Sequence, residues 1–254
     1  MANAYFFADE SVSHRAHPGV YVIHARKYIE RGIHIRAHLA QFGIPYEIIE
    51  PFAADQITEA DRSRWVSPHS TLSPGLVSCV LKHIEVLRRI VDGNISRALV
   101  LEDNVVLHPQ FNEHLARFLD EADRFDHPYS IQIGCANNMF VPTRLLQPGQ
   151  HLYPADQVRA TDSFILNQSA ARLRLAWLER NKFFQPPNHL YNRTDREMGI
   201  RFYWSDPTIV EQGSMNGMFQ STLCDKRSRM QLWQMKWKFA LQRWRKKYIR
   251  RHFQ

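Results

Sequence analysis

Long apolar runs are missing from this 254-residue sequence: none approaches the ~20 residues that a membrane-spanning helix needs. Cysteine is scarce. Cys79, Cys135 and Cys224 are odd in number and widely spaced, with no CxxC pair, which argues against a disulfide framework or a zinc site and for a reducing compartment. The opening MANAYFFADESVSHR carries acids and lacks both a basic region and a long apolar stretch, so it does not read as a signal peptide. The standard phosphate-cradling loops, GxGxxG and GxxxxGK followed by Ser or Thr, do not occur. There are no internal repeats and no low-complexity segment. Acids are missing from the end of the chain. After Asp225 there is no Asp or Glu, while eleven of the 33 Lys and Arg lie in 226–254. The rest of the chain holds 22 basic and 25 acidic residues, so the net charge of +8 belongs to the tail and the body is mildly acidic.

What is present is an alternation of two periodicities. GVYVIHA (19–25) is a β-branched run suited to a buried strand. Ile29, Ile33, Leu39 and Phe42 then recur at helical intervals until Gly43, and IPYEIIEPF (44–52) reads as the next strand. Ser73 is placed to cap a helix that begins at Pro74, carries Leu76, Val80, Ile84, Leu87 and Val91 as its stripe, and stops at Gly93. A strand near 96–101, a helix over 109–122 and the strand YSIQIGC (129–135) follow. Past residue 140 the pattern weakens to a strand at 163–166, a helix at 168–179 and loops around Pro186–Pro187. Strand–helix repetition of this kind predicts an α/β layered fold with a mainly parallel sheet. The expected organisation is one domain over 1–225 and a basic aromatic tail over 226–254.

Within SRALVLEDNVVLHPQF (96–111) four apolar residues run directly into Glu102, Asp103 and Asn104. In α/β sheets ligands bind beyond the C-terminal strand ends, and buried carboxylates are costly unless a cation or metal answers them. The acids are therefore expected to face a site with a hard cation as partner. The alternative is that Asp103 caps a turn and Glu102 is solvated.

Several segments together resemble glycosyltransferase family 25, the lipooligosaccharide galactosyltransferase type. YVIHARKYIERGIHIRAHLAQFGIPYEIIEPFAAD looks like that family's opening, LSPGLVSCVLKHIEVLRRI like its helix with GCxxSH, and ALVLEDNVVL like its EDD signature. PPNHLY resembles its PxD element and DPTIVEQGSMNGMFQS its closing PxxxQ, so the likeness spans roughly 19–222 in order. The resemblance implies a GT-A type nucleotide-sugar transferase fold, UDP-galactose as the commonest donor and Mn²⁺ as the usual ion. Carried over residue by residue, Glu102, Asp103 and Asn104 occupy the EDD positions, with Asp103 and Asn104 as metal ligands. Arg31 is the arginine after the first strand, and Ala53 and Asp55 lie near the nucleoside. Lys82 and His83 stand at the SH positions, Asn188 in the PxD element and Gln212 in the closing motif. A cation held by strand-end acids would bridge the diphosphate and stabilise its charge as the glycosidic bond breaks.

The departures carry chemistry. Asn104 and Asn188 replace acids, and Lys82 replaces a serine, so metal affinity is expected to fall and Lys82 to contact phosphate, unless it is a solvated surface lysine. His83 is either a donor-site residue or a satisfied core histidine. The acceptor hydroxyl needs a base; the candidates are Asp103, Asp162 and Asp195, the last with the alternative of pairing Arg193 or Arg196 in a loop. In the tail, Trp233, Trp237, Leu241, Trp244 and Tyr248 recur at three- and four-residue steps, with Lys236, Arg243, Lys246, Lys247 and Arg250 mostly elsewhere around the helix. A cationic helix with a tryptophan face suits an anionic membrane surface; packing on the body is one alternative and nucleic acid another, which no motif in the body supports. Two expectations of different class result. One is a hexosyltransferase on the cytoplasmic face of a bacterial inner membrane, moving a sugar onto lipid-linked lipopolysaccharide, lipooligosaccharide or capsule. The other is a non-catalytic glycan- or membrane-binding relative.

Overall fold

The computed structural model describes residues 18–136, 138–216, 218, 219, 237, 238, 240–245 and 248. The N-terminal segment read above, Cys224 and much of the tail, including Trp233, Lys236, Lys246, Lys247 and Arg250, lie outside the described residues.

The first strand, β1 (Gly19–Ile23), leads to helix α1 (Ile29–Gln41) and strand β2 (Glu47–Ile49). Helices α2 (Glu59–Trp65) and α3 (Pro74–Asp92) precede the central strand β3 (Arg97–Glu102), which turns at once into β4 (Val105–Leu107). Helix α4 (Phe111–Ala122), strands β5 (Tyr129–Gln132), β6 (Leu152–Ala155) and β7 (Ser163–Asn167), and helices α5 (Gln168–Arg180) and α6 (Pro187–Glu197) follow. The body ends with β8 (Arg201–Ser205), β9 (Val210–Gln212) and the short α7 (Gly213–Asn216).

Seven strands form one sheet in the order β2-β1-β3-β7-β5-β8-β6, and β4 pairs with β9 in a separate ribbon. The pairings make β2, β1, β3, β5 and β8 run one way, with β7 and β6 opposed. The expected mixed α/β fold with a mainly parallel sheet is thus present. Side chains alternate across a strand, and β3 shows it: Ala98 and Val100 join the core shared with α3 and α5, while Leu99 and Leu101 join the core that includes Ile35, Leu39 and Phe118. The sheet is covered on both faces, which is why its central strands read as unbroken apolar runs.

Helix α3 starts as expected. Ser73 Oγ accepts the Leu76 amide, Pro74 is the first helical residue and Gly93 ends it. Its buried surface is wider than a stripe, because sheet, α5 and α6 enclose its middle; Lys82 and His83 are buried with Val80, Leu81 and Ile84. Helix α1 is present as expected and buries Leu39, but two members of its predicted apolar set face outward. Ile29 and Ile33 are 70% and 65% exposed, and the buried residues are Arg31, Gly32, Ile35 and Leu39. The expected loop around Pro187 is the first turn of α6, with proline at the position where a missing N–H costs nothing.

Candidate active site

Asp103 lies just beyond β3, and three elements converge on it. Its amide donates to the Ile23 carbonyl at 3.0 Å, so the acid is fixed beside the end of β1. Its Oδ2 accepts from His24 Nδ1 at 2.7 Å and from the Ala25 amide at 3.2 Å. Arg31 Nη1 stands 3.5 Å from Oδ1. His24 needs room to make its contact, and Gly32 provides it: a Cβ there would sit 2.9 Å from His24 Nε2. A glycine inside a helix costs about 0.5–1 kcal/mol relative to alanine, and here that cost leaves space for the imidazole that holds Asp103. Sequence reading missed His24; an imidazole directly after a buried strand, seven residues before an arginine and eight before a glycine, was the available signal.

Asn104 is buried. Its amide Nδ2 donates to Ser214 Oγ at 3.3 Å, and its carbonyl accepts the Gly213 amide at 2.7 Å. The side-chain Oδ1 has no hydrogen-bond partner. That orphaned oxygen and Asp103 Oδ1, whose only described contact is long, are of the oxygen type that a divalent ion takes, with one charge between them instead of two.

The Glu102 carboxyl lies beside α3 and β9, with Arg31 close enough to act on its charge. Gln212 Nε2, from the closing motif, reaches its Oε2 at 3.5 Å. Burial, reinforced by Asp162 and Asp103, pushes the Glu102 carboxyl up to about 8; the part of its surface that stays exposed admits solvent that works against this shift. Asp162 is 1% exposed at the start of β7, and its carbonyl accepts the Glu102 amide at 2.8 Å. Ser163 Oγ donates to its Oδ2 at 3.1 Å, Oδ1 has no partner, and burial raises its carboxyl to about 6. Gly134 makes this crowding tolerable, since a Cβ there would fall 2.3 Å from Ser163 Oγ and 2.8 Å from Asp162 Oδ2.

Lys82 is not a solvated surface lysine. Its ammonium donates to the Ile49 and Glu50 carbonyls, both at 2.9 Å, at the end of β2, and burial lowers its pKa to about 8. Ala53 and exposed Asp55 follow in the turn after β2. Ser78 Oγ ties that turn to α3 by donating to the Phe52 carbonyl at 2.5 Å, where Phe52 has a φ of 64°. His83 is buried between Phe164 and Tyr191, with ring centroids at 5.9 and 5.5 Å. Asn188 sits in the first turn of α6, half-buried, and takes part in none of the described hydrogen bonds.

Asp195 is a correction. It lies in α6, not in a loop, is fully buried, and its two oxygens accept from Arg174 Nε and Nη2 at 2.8 and 2.6 Å. Its partner is neither Arg193 nor Arg196. With both oxygens held by Arg174, this carboxylate ties α6 to α5 and keeps no unengaged oxygen for an acceptor proton.

Of the tail, the described residues Trp237, Leu241, Trp244 and Tyr248 are all more than half exposed, and Arg243 pairs with Glu211 at 2.7 Å. Among the described residues no helix is long and apolar enough to cross a membrane. A cavity of about 500 Å³ between Leu107, Phe140, Pro207 and Arg243 contains none of the predicted site residues.

Fold and site define a class: an α/β protein with a mainly parallel sheet, in which acids at the end of a central strand meet an arginine from α1 while a buried lysine of α3 sits at the end of β2. The family follows from the sequence match. Residues 17–182 fit the model described as glycosyltransferase family 25 (LPS biosynthesis protein), and the chain belongs to that family. It is therefore a glycosyltransferase, which implies a nucleotide-sugar donor and a glycan acceptor. A solved glycosyltransferase involved in the glycosylation of the major capsid of PBCV-1 is similar at 10% identity and a TM-score of 0.44, covering 88% of this chain and 100% of that one. No curated protein matches the chain.

Proposed function

We propose that this glycosyltransferase has a GT-A type fold and moves galactose from UDP-galactose onto a lipid-linked bacterial surface glycan, at the cytoplasmic face of the inner membrane. The observation that carries the donor site is Asp103, fixed at the strand ends by His24, Ala25 and Arg31 beside the unpartnered Asn104 oxygen. Arg31 and Lys82 bring positive charge to the region where a diphosphate would lie, and Ala53 and Asp55 border the nucleoside. Asp103 Oδ1 and Asn104 Oδ1 would hold Mn²⁺, which when bound supplies charge neutralisation for the leaving diphosphate. Asp162 is the base: of the three candidates it keeps an unengaged oxygen, and a carboxyl near 6 suits proton transfer around neutral pH. As the acceptor oxygen bonds to the anomeric carbon, the bond to the diphosphate breaks with its electron pair. The hydroxyl proton passes to Asp162 Oδ1.

Nucleotide-sugars would be screened for transfer and for thermal stabilisation, with and without Mn²⁺. UDP-galactose should give both, and Asp103→Asn and Asp162→Asn should each lose transfer while keeping the fold. Asn104→Asp should lower the Mn²⁺ concentration needed for half-maximal activity. A chain stabilised by no nucleotide-sugar would sink the donor assignment, and activity insensitive to chelator would remove the ion.

A further inference from the structure

We infer that Cys79, His83 and Glu102 form a zinc site with one open coordination position, separate from the Asp103–Asn104 pair. One ligand atom from each lies within 4.8 Å of the others. A tetrahedral zinc ion with bonds of about 2.0–2.3 Å sets its ligand atoms about 3.4–3.6 Å apart, so the three need to close by about 1 Å, within reach of side-chain rotation. Cys79 and His83 are four residues apart and share one face of α3, the spacing by which a helix presents two ligands to one ion. Glu102 supplies the third from the end of β3. Sequence spacing concealed the set, because no CxxC marks it and the third ligand comes from another element.

The second observation is His83 itself. The residue is 2% exposed, and neither ring nitrogen has a hydrogen-bond partner. A buried neutral imidazole must carry one N–H and one lone pair, and leaving both unsatisfied is destabilising. A metal bond takes up the lone pair and gives the ring a reason for its place.

The nearby cations do not take that place. Lys82 is bonded to two carbonyls at the end of β2, and Arg174 is paired with Asp195. Their charges do oppose a second cation. The favoured ion is therefore one that forms strong bonds to thiolate and imidazole, which selects Zn²⁺ over ions held chiefly by oxygen charge. Binding deprotonates Cys79, neutralises Glu102 and clips the middle of α3 to the end of β3. It does not rest on the donor assignment, since Asp103's partners are His24, Ala25 and Arg31.

Full-length protein, stripped with chelator under reducing conditions, would be titrated with Co²⁺ as a spectroscopic probe and then with Zn²⁺. The expected result is one equivalent of Co²⁺ with a thiolate-to-metal charge-transfer band, displaced by Zn²⁺. The band should be lost in Cys79→Ser and His83→Gln, and retained in Cys135→Ser and Asp103→Asn. Zn²⁺ should also slow alkylation of Cys79 in the unmutated chain, a measurement that needs no variant to fold. The inference is overturned by a folded wild-type protein that shows no thiolate band, by a band that survives Cys79→Ser, or by alkylation of Cys79 that Zn²⁺ leaves unchanged.

Discussion

The smallest decisive feature is the contact between Gly32 and His24. Alanine is the best helix former and glycine among the worst, so propensity alone makes Gly32→Ala a stabilising change in α1. The Cβ would stand 2.9 Å from His24 Nε2, closer than real Cβ atoms come to a neighbour, and the ring would have to move away from Asp103. Gly32→Ala should therefore keep a cooperative melting transition while transfer falls at least about tenfold, the scale on which mutation of groups that orient a site acts. Equal turnover in the variant would show that His24 does not position Asp103. The same residues explain why α1 was misread. Apolar spacing pointed to Ile29 and Ile33, but the helix turns inward the face that carries an arginine and a glycine, because Asp103 and His24 wait there. A hydrophobicity pattern cannot express that preference.

Between elements, the junction of α5 and α6 is held by Arg174 and Asp195, both fully buried. Removing one member of a buried pair leaves an uncompensated charge and costs about 3–5 kcal/mol. Asp195→Ala should lose stability on that scale in urea denaturation, whereas the joint change Arg174→Met and Asp195→Leu should recover most of it. A loss in the single variant below about 1 kcal/mol would contradict a structural role, since exposed ion pairs contribute that little. Legibility followed element type. The Ser73 cap, Pro74 and Gly93 made α3 readable from one end to the other. Strands β1, β3 and β7 showed as apolar runs because both sheet faces are covered. Helix α2, the β4–β9 ribbon and α6 did not show. Two of them are short, β4 and β9 are stabilised by a partner far along the chain, and α6 buries a polar mixture that includes Asp195 and Thr194. The EDN element was legible as a strand end that carries acids; the different partners of Glu102 and Asp103 were not, because adjacent residues past a strand end need not share a face.

For the whole molecule, the role we propose for the tail is to set where the enzyme works. The described tryptophans and Tyr248 face solvent, while Arg243 reaches back to Glu211. Each Lys or Arg near an anionic leaflet contributes about 1 kcal/mol, so the eleven of 226–254, discounted for those facing away, are enough for reversible attachment. Full-length protein should float with anionic vesicles at low salt and release at high salt. Deleting 229–254 should abolish flotation while transfer to a small soluble acceptor survives and transfer to a lipid-linked one falls. If the full chain stays unbound even at low salt, the aromatic face serves another purpose.

The β4–β9 ribbon has a temporal consequence. Gln212 reaches Glu102 across 110 residues of chain, and Gly213 and Ser214 close over Asn104. During synthesis the strands up to β7 can pair before any of those three residues has been made. A nascent chain of that length could carry the sheet but not a finished site. Competence would then arrive late, close to the moment when the basic segment itself emerges, so that the enzyme becomes active and acquires its address almost together.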